Sequence, residues 1–142
     1  MFLTLDDYRV VTCPVDLEII CQSSDEIRQQ AESIAMEEVA GYVRTRYDIG
    51  AAYVQTDMKR NPLLVQLTVC IALWWLGQWL PGMVGGEMRQ TLYDNAISRL
   101  KDIQKGNFTP DLPDYPEGGD PDSGLGGNPI RYSSMKKSGY DW

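Results

Sequence analysis

The side chains able to do chemistry in this chain are carboxylates and thiols, because its 142 residues contain no histidine. Histidine is the commonest general base near neutral pH and the commonest metal ligand, and its absence also removes Cys–His and Ser–His nucleophile pairs. Acid–base chemistry by carboxylates alone needs two acids whose environments push their pKa values apart. No pair of Asp or Glu stands out here from solvated helix faces. Cys13, Cys21 and Cys70 are odd in number and lack metal-type spacing. Cys70 lies in an apolar run and reads as a buried thiol. Gly85-Gly86 and Gly118-Gly119 are isolated doublets, which read as turns rather than phosphate cradles. There is no P-loop, no dinucleotide glycine pattern and no Asp-rich calcium loop. The expectation is a protein that is not an enzyme and that holds no cofactor or metal.

Composition narrows the remaining classes. The length suits one domain. A net charge of −7 argues against binding nucleic acid through phosphate neutralisation as a main function. Asp6 and Asp7 sit where a secretory leader would need a basic start and an apolar stretch. With the unpaired cysteines, this points to a reducing, cytoplasmic-type compartment.

The elements that must carry these residues read as helices. Thr4-Leu5-Asp6-Asp7 has the form of a capping box, with Asp7 in place of the usual Glu or Gln. Pro14 suits the first position of a second short helix, to about Cys21, with Val15, Leu17, Ile19 and Ile20 as its apolar residues. Ser23 is a candidate cap for a long helix, with Glu26 reaching back. That helix carries Ile27, Ala31, Ile34, Ala35, Val39, Tyr42 and Val43 at helical spacing, with Glu32, Glu37 and Glu38 on the other side. It is expected to run to about Tyr47. Gly41 inside it costs about 1 kcal/mol relative to Ala, which close approach of another helix would offset. Arg44 and Arg46 sit in its last turns, either complementing the helix C-terminus or contacting a neighbouring subunit.

Asn61-Pro62 caps and opens the next helix. Residues 63–80 carry no charge, which reaches the length of a membrane span. Gln66, Thr68, Gly77 and Gln78 interrupt the run and Pro81-Gly82 ends it, so a central helix covered by its neighbours is the expected reading. Trp74, Trp75 and Trp79 point in different directions on it, as core residues or, for one of them, as an interface residue. Gly85-Gly86 turns the chain into a last helix, from about Glu87 to Lys105, with Met88, Leu92, Ala96, Leu100 and Ile103 in one stripe. Gly106 supplies its left-handed cap. Residues 51–55 read as a short extended piece or a loop. The expected fold is all-α: a bundle of three long helices with short N-terminal helices, over residues 1–106.

Residues 107–142 differ in kind. Five of the eight prolines fall there, with glycines at 118, 119, 124, 126 and 127. Such a segment buries too little apolar surface to form a core of its own. It nevertheless carries spaced anchors, among them Tyr115, Ile130, Tyr132, Tyr140 and Trp142. The expectation is an extended C-terminal arm ordered by contact with neighbouring subunits or another protein. Lys136 and Lys137 either meet an acidic rim or form a solvated pair.

Several segments, taken in order, carry a resemblance. They are Phe2-Leu3-Thr4-Leu5-Asp6-Asp7; Glu37-Glu38-Val39-Ala40-Gly41-Tyr42-Val43-Arg44-Thr45-Arg46-Tyr47-Asp48; Asn61-Pro62-Leu63-Leu64-Val65; Leu92-Tyr93-Asp94-Asn95-Ala96-Ile97; and Leu100-Lys101-Asp102-Ile103-Gln104-Lys105-Gly106 leading to Pro110-Asp111-Leu112-Pro113. This ordered combination resembles the head–tail connector (adaptor, head-completion) proteins of tailed bacteriophages, and especially those of crAss-like phages of Bacteroides hosts. It covers about residues 1–113, and no single motif in it is diagnostic. The resemblance implies a structural virion protein located in the neck and assembled in the host cytoplasm. It implies a homo-oligomeric ring of about twelve copies that docks on the portal protein and presents a surface to stopper, second-ring or tail proteins. Genomic DNA would pass through the channel during packaging and ejection without specific binding. The alternatives are another neck or tail-completion protein, or a single-span membrane protein using residues 63–80.

Overall fold

The computed structural model describes residues 2–21, 24–78 and 86–116. Among these the chain is all-α, with six α-helices, one 3-10 turn and no strand. The helices are α1 (Leu5–Tyr8), α2 (Pro14–Ile20), α3 (Asp25–Val43), α4 (Ile49–Tyr53), α5 (Pro62–Gly77) and α6 (Gly86–Lys105), with the 3-10 turn Asp57–Lys59 between α4 and α5.

The uncharged helix is the hub. Asn61 Oδ1 accepts the Leu64 amide at 3.1 Å and Pro62 follows, so α5 starts as its sequence demands. From Leu67 to Leu73 every residue of α5 is buried, because α3, α6 and α1 cover it from different sides. Its one buried hydroxyl, Thr68, donates back to Leu64 O at 2.7 Å and meets the Tyr53 hydroxyl at 3.3 Å. Among the described residues no helix is long and apolar enough to cross a membrane. Trp79, Leu80 and Pro81-Gly82 lie outside them.

Helix α6 ends in a full Schellman motif. Gly106 adopts φ +85°, its amide donates to Ile103 O at 3.1 Å, and the Asn107 amide donates to Asp102 O at 2.9 Å. A side chain at Gly106 would be strained by its φ, and the Arg46 guanidinium, which a Cβ would meet at 2.9 Å, would have to move aside. At the other end of the fold Asp7 Oδ2 accepts the Thr4 amide at 2.7 Å, the reach-back half of the expected capping box.

Several expectations need correction. Ser24, not Ser23, caps α3: its Oγ accepts the Ile27 amide at 3.4 Å, so Glu26 falls one position short of the reach-back site. Ser23 itself lies outside the described residues. Helix α3 stops at Val43, and residues 44–46 turn towards α4. Residues 49–53 are helical rather than extended, because Asp48 Oδ1 accepts the Ala51 amide at 3.0 Å and caps a new turn. Gly41 faces open space: a Cβ at this position would meet nothing within 4 Å, so no helix approaches it. Ile34 and Met88, read as stripe residues, are 43% and 67% exposed.

The largest correction concerns Glu32. The period of α3 assigns it to the solvated side, yet it is fully buried. Tyr8 and Arg28 supply the donors that make this burial possible.

The arm also begins differently from expectation. Residues 107–116 have no helix or strand, as expected, but they lie on their own body. Leu112 is buried in the core, Asn61 Nδ2 donates to Asp111 O at 2.8 Å, and the Asp48 amide donates to Pro113 O at 2.8 Å. Phe108 lies under the Arg99 guanidinium at 4.7 Å.

Candidate functional site

Three polar clusters interrupt the apolar packing, and each joins elements distant in sequence. In the first, Glu32 Oε1 accepts from the Tyr8 hydroxyl and from Arg28 Nη1, both at 2.7 Å. The Arg28 side chain is only 12% exposed and also reaches Asp25 Oδ1 at 3.4 Å. Burial, and then the adjacent Glu32 carboxylate, hold the Tyr8 hydroxyl far above the usual phenol range. Glu32 Oε2 and Arg28 Nε are buried without a partner among the described residues. A proton sits firmly on Tyr8, so the cluster locks α1 to α3 and offers no base to a substrate.

In the second cluster, Glu38 bridges the other two long helices. Its Oε2 accepts from Trp75 Nε1 at 3.0 Å and its Oε1 from the Tyr93 hydroxyl at 2.5 Å. Trp74 stacks on Tyr93 at 4.2 Å between ring centroids and donates through Nε1 to Gln90 Oε1 at 3.0 Å. Burial, and after it the hydrogen bond to Glu38, raise the Tyr93 pKa. One carboxylate on α3 thus satisfies a donor from α5 and a donor from α6. Each indole edge faces a polar partner, which is how the two neighbouring tryptophans occupy the rim of the core.

In the third, Arg60 Nη1 and Nη2 grip the two oxygens of Asp7 at 2.6 and 3.1 Å, and Nη1 also donates to Phe2 O at 2.8 Å. The hydrogen bond to Asp7 raises the Arg60 pKa. Although burial acts against it, the Asp7 carboxyl is held below its usual range by Arg60 and Thr4.

None of these clusters has the layout of a catalytic centre. Each carboxylate is tied to fixed donors through at least one oxygen, although Glu32 Oε2 has none. Among the described residues no group of His, Cys, Asp or Glu could hold a metal ion. Cys13 is exposed, Cys21 and Cys70 are buried, and all three are free thiols. Burial pushes the thiols of Cys21 and Cys70 upward, which keeps them protonated and unreactive.

The surface residues singled out from sequence divide in two. Arg44 Nη2 contacts both Glu37 oxygens, at 3.1 and 3.2 Å, and its carbonyl accepts the Tyr115 hydroxyl. Arg46 lies across Gly106. Tyr115 is half-buried against its own chain. So Arg44, Arg46, Tyr115 and Gly106 form one corner where the end of α3, the end of α6 and the arm meet. Ile130, Tyr132, Lys136, Lys137, Tyr140 and Trp142 lie outside the described residues.

Sequence reasoning missed Glu32, Glu38 and Tyr8. A signal was present for Glu32: Arg28 stands one turn before it, and Ala31 and Ala35 flank it with side chains too small to seal that face. Open clefts remain on the surface among the described residues, one of them, with a largely apolar lining, between α1, the 3-10 turn and α5. No family model, curated protein or solved structure matches this chain.

Proposed function

We propose that this chain is a non-catalytic structural virion protein. It is a subunit of a head–tail connector ring that docks on the portal, extends the DNA channel and links capsid to tail. The observation that carries the reading is where the resembling segments fall. Residues 2–7 carry the cap and most of α1, 37–48 end α3 and lead to the cap of α4, 61–65 open α5, 92–97 and 100–106 lie in α6 and its cap, and 110–113 belong to the docked start of the arm. Each segment therefore belongs to the packed body, and their order in sequence becomes a set of mutual contacts around α5.

The chemistry agrees with a passive role. Glu32 ties α1 to α3, and Glu38 ties α3 to α5 and α6, so these carboxylates serve packing. A net charge of −7 per copy suits a channel whose acidic wall repels DNA and lets it slide.

The test is reconstitution. Purified full-length protein is mixed with portal assemblies at low salt and imaged in negative stain. The expected result is an added ring of density with the portal's rotational symmetry. A protein that stays monomeric and leaves the portal unchanged at high concentration would overturn the proposal. A ring whose lumen is lined by arginine and lysine would overturn the acidic-channel part alone.

A further inference from the structure

The cleft between α1, the 3-10 turn and α5 encloses about 540 Å³. Its floor is apolar, formed by the half-buried Val11 and Val65, with the exposed Val10, Met58 and Pro62 at its mouth. Val10 is 83% and Met58 97% exposed, so the two most solvated large apolar side chains among the described residues stand on one opening. The charged lining is unbalanced: Asp6, Asp7 and Asp57 face Arg60 alone. Asp7 is committed to Arg60, whereas Asp6 pairs only with Arg9 across an exposed 3.0 Å contact that solvent weakens. The cleft therefore presents an apolar groove with a negative rim.

A second cleft of about 470 Å³ adjoins it, sharing Met58, Arg60 and Pro62. Its far wall is the arm itself, Asp111, Leu112 and Pro113. The groove is thus continuous with a surface on which arm backbone already lies.

The sequence holds one segment of matching chemistry. Residues 128–140 contain Arg131, Lys136 and Lys137 and no acid, in a chain that is otherwise acidic. Ile130, Tyr132 and Met135 are interleaved with these cations. We infer that the groove receives residues 130–137 of a neighbouring copy of this chain, with Ile130, Tyr132 and Met135 on the apolar floor and the three cations at the rim beside Asp6 and Asp57. The inference rests on the multi-copy part of the connector reading.

The docked start of the arm leads away from its own groove, and the chain beyond it is long enough to reach a neighbour. Asp111 is held at Asn61, Pro113 at Asp48 and Tyr115 at Arg44. The chain thus leaves the edge of the groove for the C-terminal end of α3, and Arg44 lines neither cleft. From there residues 117–129 can span at most about 45 Å. A folded body of this size has a radius of gyration of about 13 Å, so the reach extends to an adjacent copy. A contact of one copy's arm with the next copy's groove is head-to-tail, the type that closes into a ring when the rotation permits.

The experiment uses two full-length variants, Met58→Cys and Ser134→Cys, each with Cys13→Ser to remove the exposed thiol. Met58 is almost wholly solvated, so its replacement leaves the packing alone. The two are mixed and treated with a short bismaleimide. The expected product is a cross-linked pair joining one chain of each kind. Its yield should fall at least fivefold when the Ser134→Cys chain also carries Lys136→Glu and Lys137→Glu. Absence of the mixed product, a yield indifferent to charge reversal, or, in a third variant that carries both Met58→Cys and Ser134→Cys, cross-linking only within single chains each overturns the inference. The charge-reversed chain is also imaged with portal. Rings without cross-links would remove the arm-in-groove contact and leave the connector reading standing. Cross-links without portal binding would do the opposite.

Discussion

Replacing Glu32 by leucine should cost this fold about 3–6 kcal/mol, the sum being dominated by a stranded cation. The wild-type carboxylate is fully buried and takes hydrogen bonds from Tyr8 and Arg28 at 2.7 Å. Without it, the Arg28 side chain, 12% exposed, retains only the 3.4 Å contact to Asp25. Removing one partner of a buried pair costs about 3–5 kcal/mol, because the other charge stays desolvated. The Tyr8 hydroxyl is stranded as well, worth about 1–3 kcal/mol, but the two losses share one acceptor and do not simply add. Domains of this size are stable by about 5–15 kcal/mol, so the variant should be marginal. Urea unfolding followed by tryptophan fluorescence should show the midpoint falling by about 2 M with the slope unchanged. The triple variant Tyr8→Phe, Arg28→Met, Glu32→Leu should recover most of the loss, since an apolar replacement of the whole cluster strands nothing. A Glu32→Leu cost below about 1 kcal/mol, or a triple variant no better than the single, would refute the reasoning.

Three further outcomes are expected. Leu73→Asp should unfold the body, because an unpaired charge would enter the covered face of α5; a folded, monodisperse variant by circular dichroism and gel filtration would contradict the central-helix reading. Burial raises the pKa of Tyr8 and Tyr53, so the native state keeps protons that the unfolded chain releases above about pH 10. Their stabilisation is complete below that pH and is lost as pH rises through it, at up to about 1.4 kcal/mol per pH unit for each tyrosine; Tyr53→Phe should flatten the urea-midpoint profile between about pH 9 and 11.5, and an unchanged slope would count against it. Deleting residues 117–142 should leave the melting temperature of the isolated protein unchanged. Deleting 107–142 should lower stability by about 2–4 kcal/mol through loss of Leu112 and the Asp48 and Asn61 hydrogen bonds; equal melting of the two truncations would show that the docked segment contributes nothing.

What the sequence made legible were features decided locally. Asn61-Pro62 starts α5 and Gly106 ends α6, because capping chemistry and backbone φ depend on a few adjacent residues. The covered character of α5 followed from its lack of charge, which only surrounding helices or lipid can accommodate. What stayed hidden depended on partners remote in the chain. Glu32 and Glu38 follow the period of a solvated face, and apart from Arg28 one turn before Glu32 their donors, Tyr8, Trp75 and Tyr93, are brought in from α1, α5 and α6. The cap of α3 slipped by one residue because Ser23 and Ser24 are chemically equivalent and the register is set by packing. Gly41 misled for the same reason: a glycine's close approach is a property of the neighbour, and here no neighbour comes.

The corner at which the arm leaves the body has a mechanical consequence. Tension arriving at Pro116 reaches the Tyr115 hydroxyl first, then the Pro113 carbonyl, then the buried Leu112 and the Asp111 carbonyl. These attachments are loaded one after another rather than together, so the segment peels instead of shearing. Only after they have parted does force arrive at Gly106 and the last turn of α6. Residues 107–116 therefore work as a serial fuse: a tug on the arm is taken first by single contacts that can re-form, at Arg44, Asp48 and Asn61, before the packing of α6 on α5 is opened.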